Sequence, residues 1–232
     1  MSEALRHIVP VFKLYGERQH WPTPDLLHCE MIRDRSGPND WHIPPHRHAD
    51  LMHMLYVRRK GGEMMLEGKS FPIEPPCVLV VPAMSIHGFD FDPDIDGYSI
   101  TVAKPLINYL SEHLGSQGQI LFQGGAFNLT GQPEAGTIET LVAQLHDEYC
   151  QIAEGREPML YAMMQVISML VARRVERAHP RIASRQEKGY THLIRYQRLI
   201  ERHYRDQPSI SWMASQLGIT ATHLNTHCQR LA

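Results

Sequence analysis

The chain has 232 residues, 43% apolar and 21% charged, enough to bury a core without staples, which excludes a cystine-rich mini-protein and a disordered tail. No apolar run approaches the roughly 18 residues of a membrane span, and no secretory leader is visible at the start, so a cytoplasmic location is expected. The net charge of -2 hides an asymmetry: residues 1–172 carry 12 Lys and Arg against 21 Asp and Glu, a balance of -9, and residues 173–232 carry 11 against 4, a balance of +7.

Such a split implies one part that avoids nucleic acid and one that seeks phosphate, with an ordinary solvated basic face as the competing reading. Cys29, Cys77, Cys150 and Cys228 form no CxxC pair, which argues against a zinc ribbon or a dithiol redox site and for reduced thiols.

In chain order, residues 26–32, 51–57, 63–66, 77–81 and 98–102 are short, apolar or alternating, and rich in β-formers. Turn chemistry separates them at Ser36-Gly37-Pro38, Lys60-Gly61-Gly62, Glu67-Gly68-Lys69, Pro75-Pro76 and Asp92-Pro93-Asp94. Evenly spaced short strands predict a mainly β sandwich or barrel over residues 1–104. After Pro105 the pattern turns helical. A short helix is expected over 105–114, then a Gly/Gln-rich loop, then amphipathic helices over 137–152 and 158–177 with an apolar stripe through Leu160, Met163, Met164, Ile167, Leu170 and Val171. These two helices are read as a dimerisation hairpin within residues 105–178. Residues 179–189 lack periodicity and read as a linker, and a helix over 190–205 opens the last segment, 190–232.

The densest chemistry lies in the β region: Trp41-His42-Ile43-Pro44-Pro45-His46-Arg47-His48, then His53, then Pro82-Ala83-Met84-Ser85-Ile86-His87. Residues two apart on a strand share a face, so His46 and His48 are expected to point into the barrel and converge with a third histidine. This is the arrangement of a facial metal triad, and it resembles the cupin superfamily, with His46 and His48 as the HxH pair, His53 in the glutamate place, and Pro82 and His87 in the second motif. Met84 stands where that motif has glycine, which is expected to break its turn, and Phe91 stands where it has asparagine. Three readings follow: a zinc or iron enzyme on a histidine triad, dioxygenase-like; histidines merely hydrogen-bonded in the wall; or an organic-ligand pocket lined by Trp41, His46, His48, His53, Tyr56 and His87. The third is preferred, with no metal and no cofactor assigned.

At the end of the chain, Ser209 or Ser211 can cap a short helix through Gln216, Gly218 permits a tight turn, and Thr220 can cap a helix from Ala221. Ile210, Met213, Ala214, Leu217, Ile219, Leu224 and Cys228 would form its small core. That is the pattern of a helix-turn-helix, with Thr222, His223, Asn225, Thr226 and Gln229 left exposed on the second helix, where the motif enters the major groove.

A cupin-like barrel, a helical pair, a linker and a helix-turn-helix together resemble the AraC/XylS family of transcription regulators. The stretches Val9 to Glu17, Asn39 to His48 and Val81 to Phe89 are similar to its activators of aromatic-acid catabolism, the 4-hydroxybenzoate and 4-hydroxyphenylacetate type. The resemblance implies a homodimer that binds a small aromatic acid in the barrel and DNA at the other end, and that is not an enzyme. It implies base contacts from Thr222, Asn225 and Thr226 and phosphate contacts from Arg195, Arg198, Arg202 and Arg230. Members of the family carry a second helix-turn-helix, which this sequence lacks after Ala232, so a truncated product or a ligand-binding fragment is expected.

Overall fold

The computed structural model describes residues 11–12, 26–178, 192, 195–196, 199–200, 202–203 and 205–231. Residue contacts divide the chain after Val175 into two units. The linker expected at 179–189 lies outside the described residues, as does Arg198.

In the first unit, one five-stranded sheet runs in the order β1 (Val11–Phe12), β3 (His42–His48), β8 (His87–Phe91), β5 (Gly62–Leu66) and β6 (Lys69–Ile73). The other runs β10 (Gly125–Asn128), β7 (Cys77–Val81), β4 (Leu51–Arg59), β9 (Asp96–Ala103) and β2 (Leu27–Met31). Neighbouring strands pair antiparallel apart from the parallel β1–β3 contact.

The alternation along β4 and β7 explains why both strands read as continuous apolar runs. Leu55, Val57, Leu79 and Val81 pack with Met64, Leu66, Phe89 and Phe91 of the other sheet. The intervening Met52, Met54, Tyr56, Val78 and Val80 pack with Ile100 and Val102 of β9 and with residues of the helices. A strand covered on both faces has no polar side to display.

Helix α1 (Ile32–Ser36) follows β2, α2 (Lys104–His113) lies between β9 and β10, and α3 (Ala135–Cys150) and α4 (Arg156–Ala178) follow β10. The last two begin two residues earlier than the periodicity predicts. Their apolar faces are spent within the chain: Ile138, Val142 and Leu145 of α3 and Leu160, Met164, Ile167 and Val171 of α4 are buried in the core that β4 and β7 share. The stripe expected to pair subunits is therefore largely barrel packing. A second, narrower apolar face of α4 remains outward, with Met159 and Val166 about half exposed.

In the second unit, α5 (Ile210–Gln216) and α6 (Ala221–Leu231) are joined by a tight turn. The Ser209 Oγ accepts the Trp212 N–H at 3.1 Å, which caps α5. The Thr220 Oγ1 accepts the His223 N–H at 3.2 Å at the start of α6, and Gly218 takes the left-handed conformation at φ +71° that favours glycine. Met213, Ala214, Leu217 and Leu224 form the buried core, with Ile219, Cys228, Tyr196 and Leu199 packed against it. Ile210, expected inside, is exposed because it occupies the first turn of α5, ahead of the residues that face α6.

Candidate functional site

Strand parity brings four histidines to one end of the barrel. His46 and His48 of β3 share a face, and His46 stands directly opposite His87 of β8. His53 of β4 comes from the other sheet, where it pairs in register with Thr101 of β9. The two prolines before His46 coincide with a register shift between Ile43 and His46, as expected where the chain has no N–H to give to the ladder. Gly88 permits that bulge: a Cβ there would lie 2.9 Å from the Ile43 carbonyl oxygen.

All four imidazoles are buried. Ring centroids lie 4.3 Å apart for His46 and His87, 4.9 Å for His46 and His48, and 4.7 Å for His48 and His53. The Nδ1–H of His46 donates to the Pro44 carbonyl and that of His87 to the Ser85 carbonyl, each at 2.9 Å. These bonds place the proton on Nδ1 and leave Nε2 as a lone pair aimed at the cluster. His46 Nε2 and His48 Nε2 are 3.1 Å apart. His53 Nδ1 is hydrogen-bonded to the Thr101 hydroxyl at 3.0 Å, while its buried Nε2 has no partner among the described residues.

Burial disfavours the charged form of His46, His53 and His87. Desolvation pushes the His87 imidazole down to about 4, with the neighbouring His46 adding to it. His53 is driven well below its ordinary range by desolvation, then by His48 and His87, and His46 is lowered by desolvation and by Arg35.

Neutral imidazoles with carbonyl-anchored Nδ1 groups are the ligand form that divalent metals require, the second contact fixing tautomer and ring orientation. The ligand atoms of His46, His48 and His87 lie within 4.8 Å of one another. The donor set fits a zinc- or iron-class ion with a position left open, and His53 falls outside that set.

The cavity at this cluster is also lined by Arg35, Ser99, Ile43, Leu55, Phe89 and Phe91. It measures about 40 Å³, room for about three waters and well short of the ~150 Å³ that accepts a benzene ring. Two residues expected in the lining are elsewhere. Tyr56 has the opposite parity to His53, so it faces the helices, buried beside Met52 and Met54. Trp41 precedes β3, packs partly buried on the rim of the barrel core and does not line the cavity.

Among the described arginines, Arg35 lines the cavity, and it pairs with Glu30 at 3.7 Å. Arg58 and Arg59 are committed to Asp96 at 2.9 and 3.0 Å, and Arg33 pairs with Asp34 in an exposed contact. Arg35 could be found by pattern only through its place after β2, and Ser99 only by following β9's parity from Thr101.

Met84 does not break its turn. It adopts the glycine-like conformation at φ +67°, and its N–H donates to the His48 carbonyl at 2.8 Å, so the second histidine motif keeps its shape around a methionine. The side chain is half exposed, which spares it any core clash.

On the second unit, Thr222, His223, Asn225 and Gln229 of α6 are exposed, and Thr226 is half-buried, its hydroxyl donating to the Thr222 carbonyl at 2.9 Å. Arg195 and Arg202 are exposed. Arg230 falls within α6.

No protein-family profile matches the chain, and no curated protein does. Among solved structures it is similar to KdgF from Halomonas sp., at 25% identity over 27% of this chain and 58% of that one, with a TM-score of 0.26. It is similar to the AraC-like transcriptional activator CuxR, at 10% identity over 78% of this chain and 61% of that one, with a TM-score of 0.42. It is also similar to ToxT from Vibrio cholerae, at 9% identity over 89% of this chain and 95% of that one, with a TM-score of 0.39. The chain thus spans about three fifths of the first two. All three scores are low, and the reading of the site stands on this chain's own side chains.

Proposed function

We propose that this chain is a ligand-responsive transcription regulator, with the barrel as its sensor and α5–α6 as its DNA-reading element. The observation that carries the proposal is the capped α5–turn–α6 pair with a polar outer face, in the part of the chain where the charge balance is +7. An ordinary helical hairpin has no use for that combination. Thr222, His223, Asn225, Thr226 and Gln229 would meet base edges, and Arg195, Arg198, Arg202 and Arg230 would meet phosphates. A homodimer is part of the proposal, formed through the outward face of α4 around Met159 and Val166, since its inner face is occupied.

The effector we assign to the barrel is a small aromatic carboxylate. Its anionic end would meet the histidine floor and Arg35, and its ring would lie towards Phe89 and Phe91. Because the enclosed space is about 40 Å³, the ring must widen the mouth of the cavity, and that displacement is the natural origin of a signal. His46, His48 and His87 would hold a divalent metal ion, which when bound supplies a fixed positive charge for the carboxylate. Burial disfavours protonation of His46 and His87, so without a metal these two offer little positive charge to an anion.

The same triad favours a second reading, a metal-dependent enzyme on the barrel. Calorimetric titration of the zinc-loaded full chain with 4-hydroxybenzoate, followed by analysis of the recovered compound, separates the two. The regulator reading expects saturable binding, unchanged compound and no binding heat in His87→Gln. Conversion of the compound would establish the enzyme, and an identical isotherm in His87→Gln would remove the barrel cluster from the effector site.

A further inference from the structure

The second unit holds a histidine group of its own. His223 and His227 are four residues apart on α6, the separation that sets two side chains on one helical face, and their rings stack with centroids 4.6 Å apart at 26°. The ring of His192, a helical residue upstream of α5, lies 5.4 Å from that of His227. The Nδ1 of His192 is buried and has no hydrogen-bond partner among the described residues.

None of these rings belongs to the unit's apolar core of Ala214, Leu217 and Leu224. The three imidazoles gather outside that core, and the buried His192 nitrogen among them is left unsatisfied.

We infer that His192, His223 and His227 form a binding site for a divalent metal ion of the zinc, copper or nickel class. Two histidines at i and i+4 on a helix are a known means of chelating zinc from one face, and imidazole suits these ions. The third ligand comes from another segment, so the ion would tie α6 to the helix before α5. His223 is exposed, and turning its ring towards the others disturbs no core contact. This site is separate from the barrel triad and does not depend on the proposal that α6 reads DNA.

Zinc stoichiometry of the full chain, stripped by chelator and dialysed against Zn2+ alone, tests the inference, with Co2+ absorption as a second readout of the ligand set. The expected result is that His223→Gln/His227→Gln binds one equivalent fewer than the unaltered chain, with an unchanged far-ultraviolet circular dichroism spectrum. His192→Gln, which leaves α6 untouched, weakens the same equivalent. His46→Gln/His87→Gln removes the barrel's equivalent and leaves this one. Full stoichiometry in His223→Gln/His227→Gln would overturn the inference, as would a chain whose bound zinc disappears entirely with the barrel variant. A chain whose single equivalent is lost only with the α6 variant would uphold this site and count against a metal in the barrel.

Discussion

His87 and His223 each sit beside other histidines, yet the two surroundings make them different chemical objects. His87 is sealed in the barrel, its Nδ1 proton held by a carbonyl and its basicity pulled down by burial. His223 is exposed on α6, free to meet a solute. The barrel group is built by tertiary structure from three strands and both sheets. The α6 pair follows from helical spacing within one element. Enclosure thus gives the barrel selectivity and a fixed protonation state, and exposure gives α6 reach.

The largest way to break this comparison is to open the barrel. Leu79→Ala on β7 removes a fully buried side chain between the sheets and is expected to cost about 2–5 kcal/mol. The far-ultraviolet melting of the first unit should drop while signals from residues 176–232 do not move. A matching loss in the second unit would show that the two units do not fold separately.

Acid sharpens it. The folded-state His87 titrates near 4 against 6.5 for the free side chain, so between these values the unfolded chain binds more protons and stability falls as pH falls. At ~1.4 kcal/mol per unit this group alone contributes on the order of 3 kcal/mol by pH 4. Urea unfolding of metal-free protein should show full stability above pH 6.5 and a decline from there downwards. His87→Gln should flatten the decline, and an equally steep loss in that variant would assign it to other groups.

The exposed region answers to different variables. Asn225→Ala should weaken binding to a selected duplex by about 1–3 kcal/mol without changing the salt slope, whereas Arg202→Ala should lower that slope by about one, uniformly across sequences. Fluorescence anisotropy at several salt concentrations reads both, and equal losses on selected and random duplexes would remove Asn225 from base contact. The smallest effect belongs to the barrel's second turn. Met84 pays for φ +67°, so Met84→Gly should stabilise the first unit by about 1 kcal/mol, read as a raised melting temperature. No gain would mean that glycine's larger entropy of unfolding offsets the relieved strain.

Much of this is legible in the sequence. Ser209, Gly218 and Thr220 are local signals, and they act locally, so α5 and α6 form where the sequence places them. The convergence of His46, His48 and His87 follows from period-two spacing. Tyr56 was misplaced for a reason that the same rule supplies: it is three residues from His53, an odd separation, and so belongs to the opposite face. β8 and β10 are not legible in the sequence because His87–Phe91 and Gly125–Asn128 gain their partners from distant strands rather than from alternation. Arg35 and Ser99 reach the cavity through tertiary packing alone, and the stripe on α4 could not reveal whether a barrel or a second subunit would cover it.

The central claim joins the barrel to DNA, so the most direct measurement is the affinity of the full chain for a duplex selected from random sequence, at fixed Zn2+, with and without 4-hydroxybenzoate. The account predicts that the aromatic acid shifts the dissociation constant of the unaltered chain and leaves that of His46→Gln/His87→Gln unmoved. The same shift in both proteins, or none in either while duplex binding persists, would contradict it.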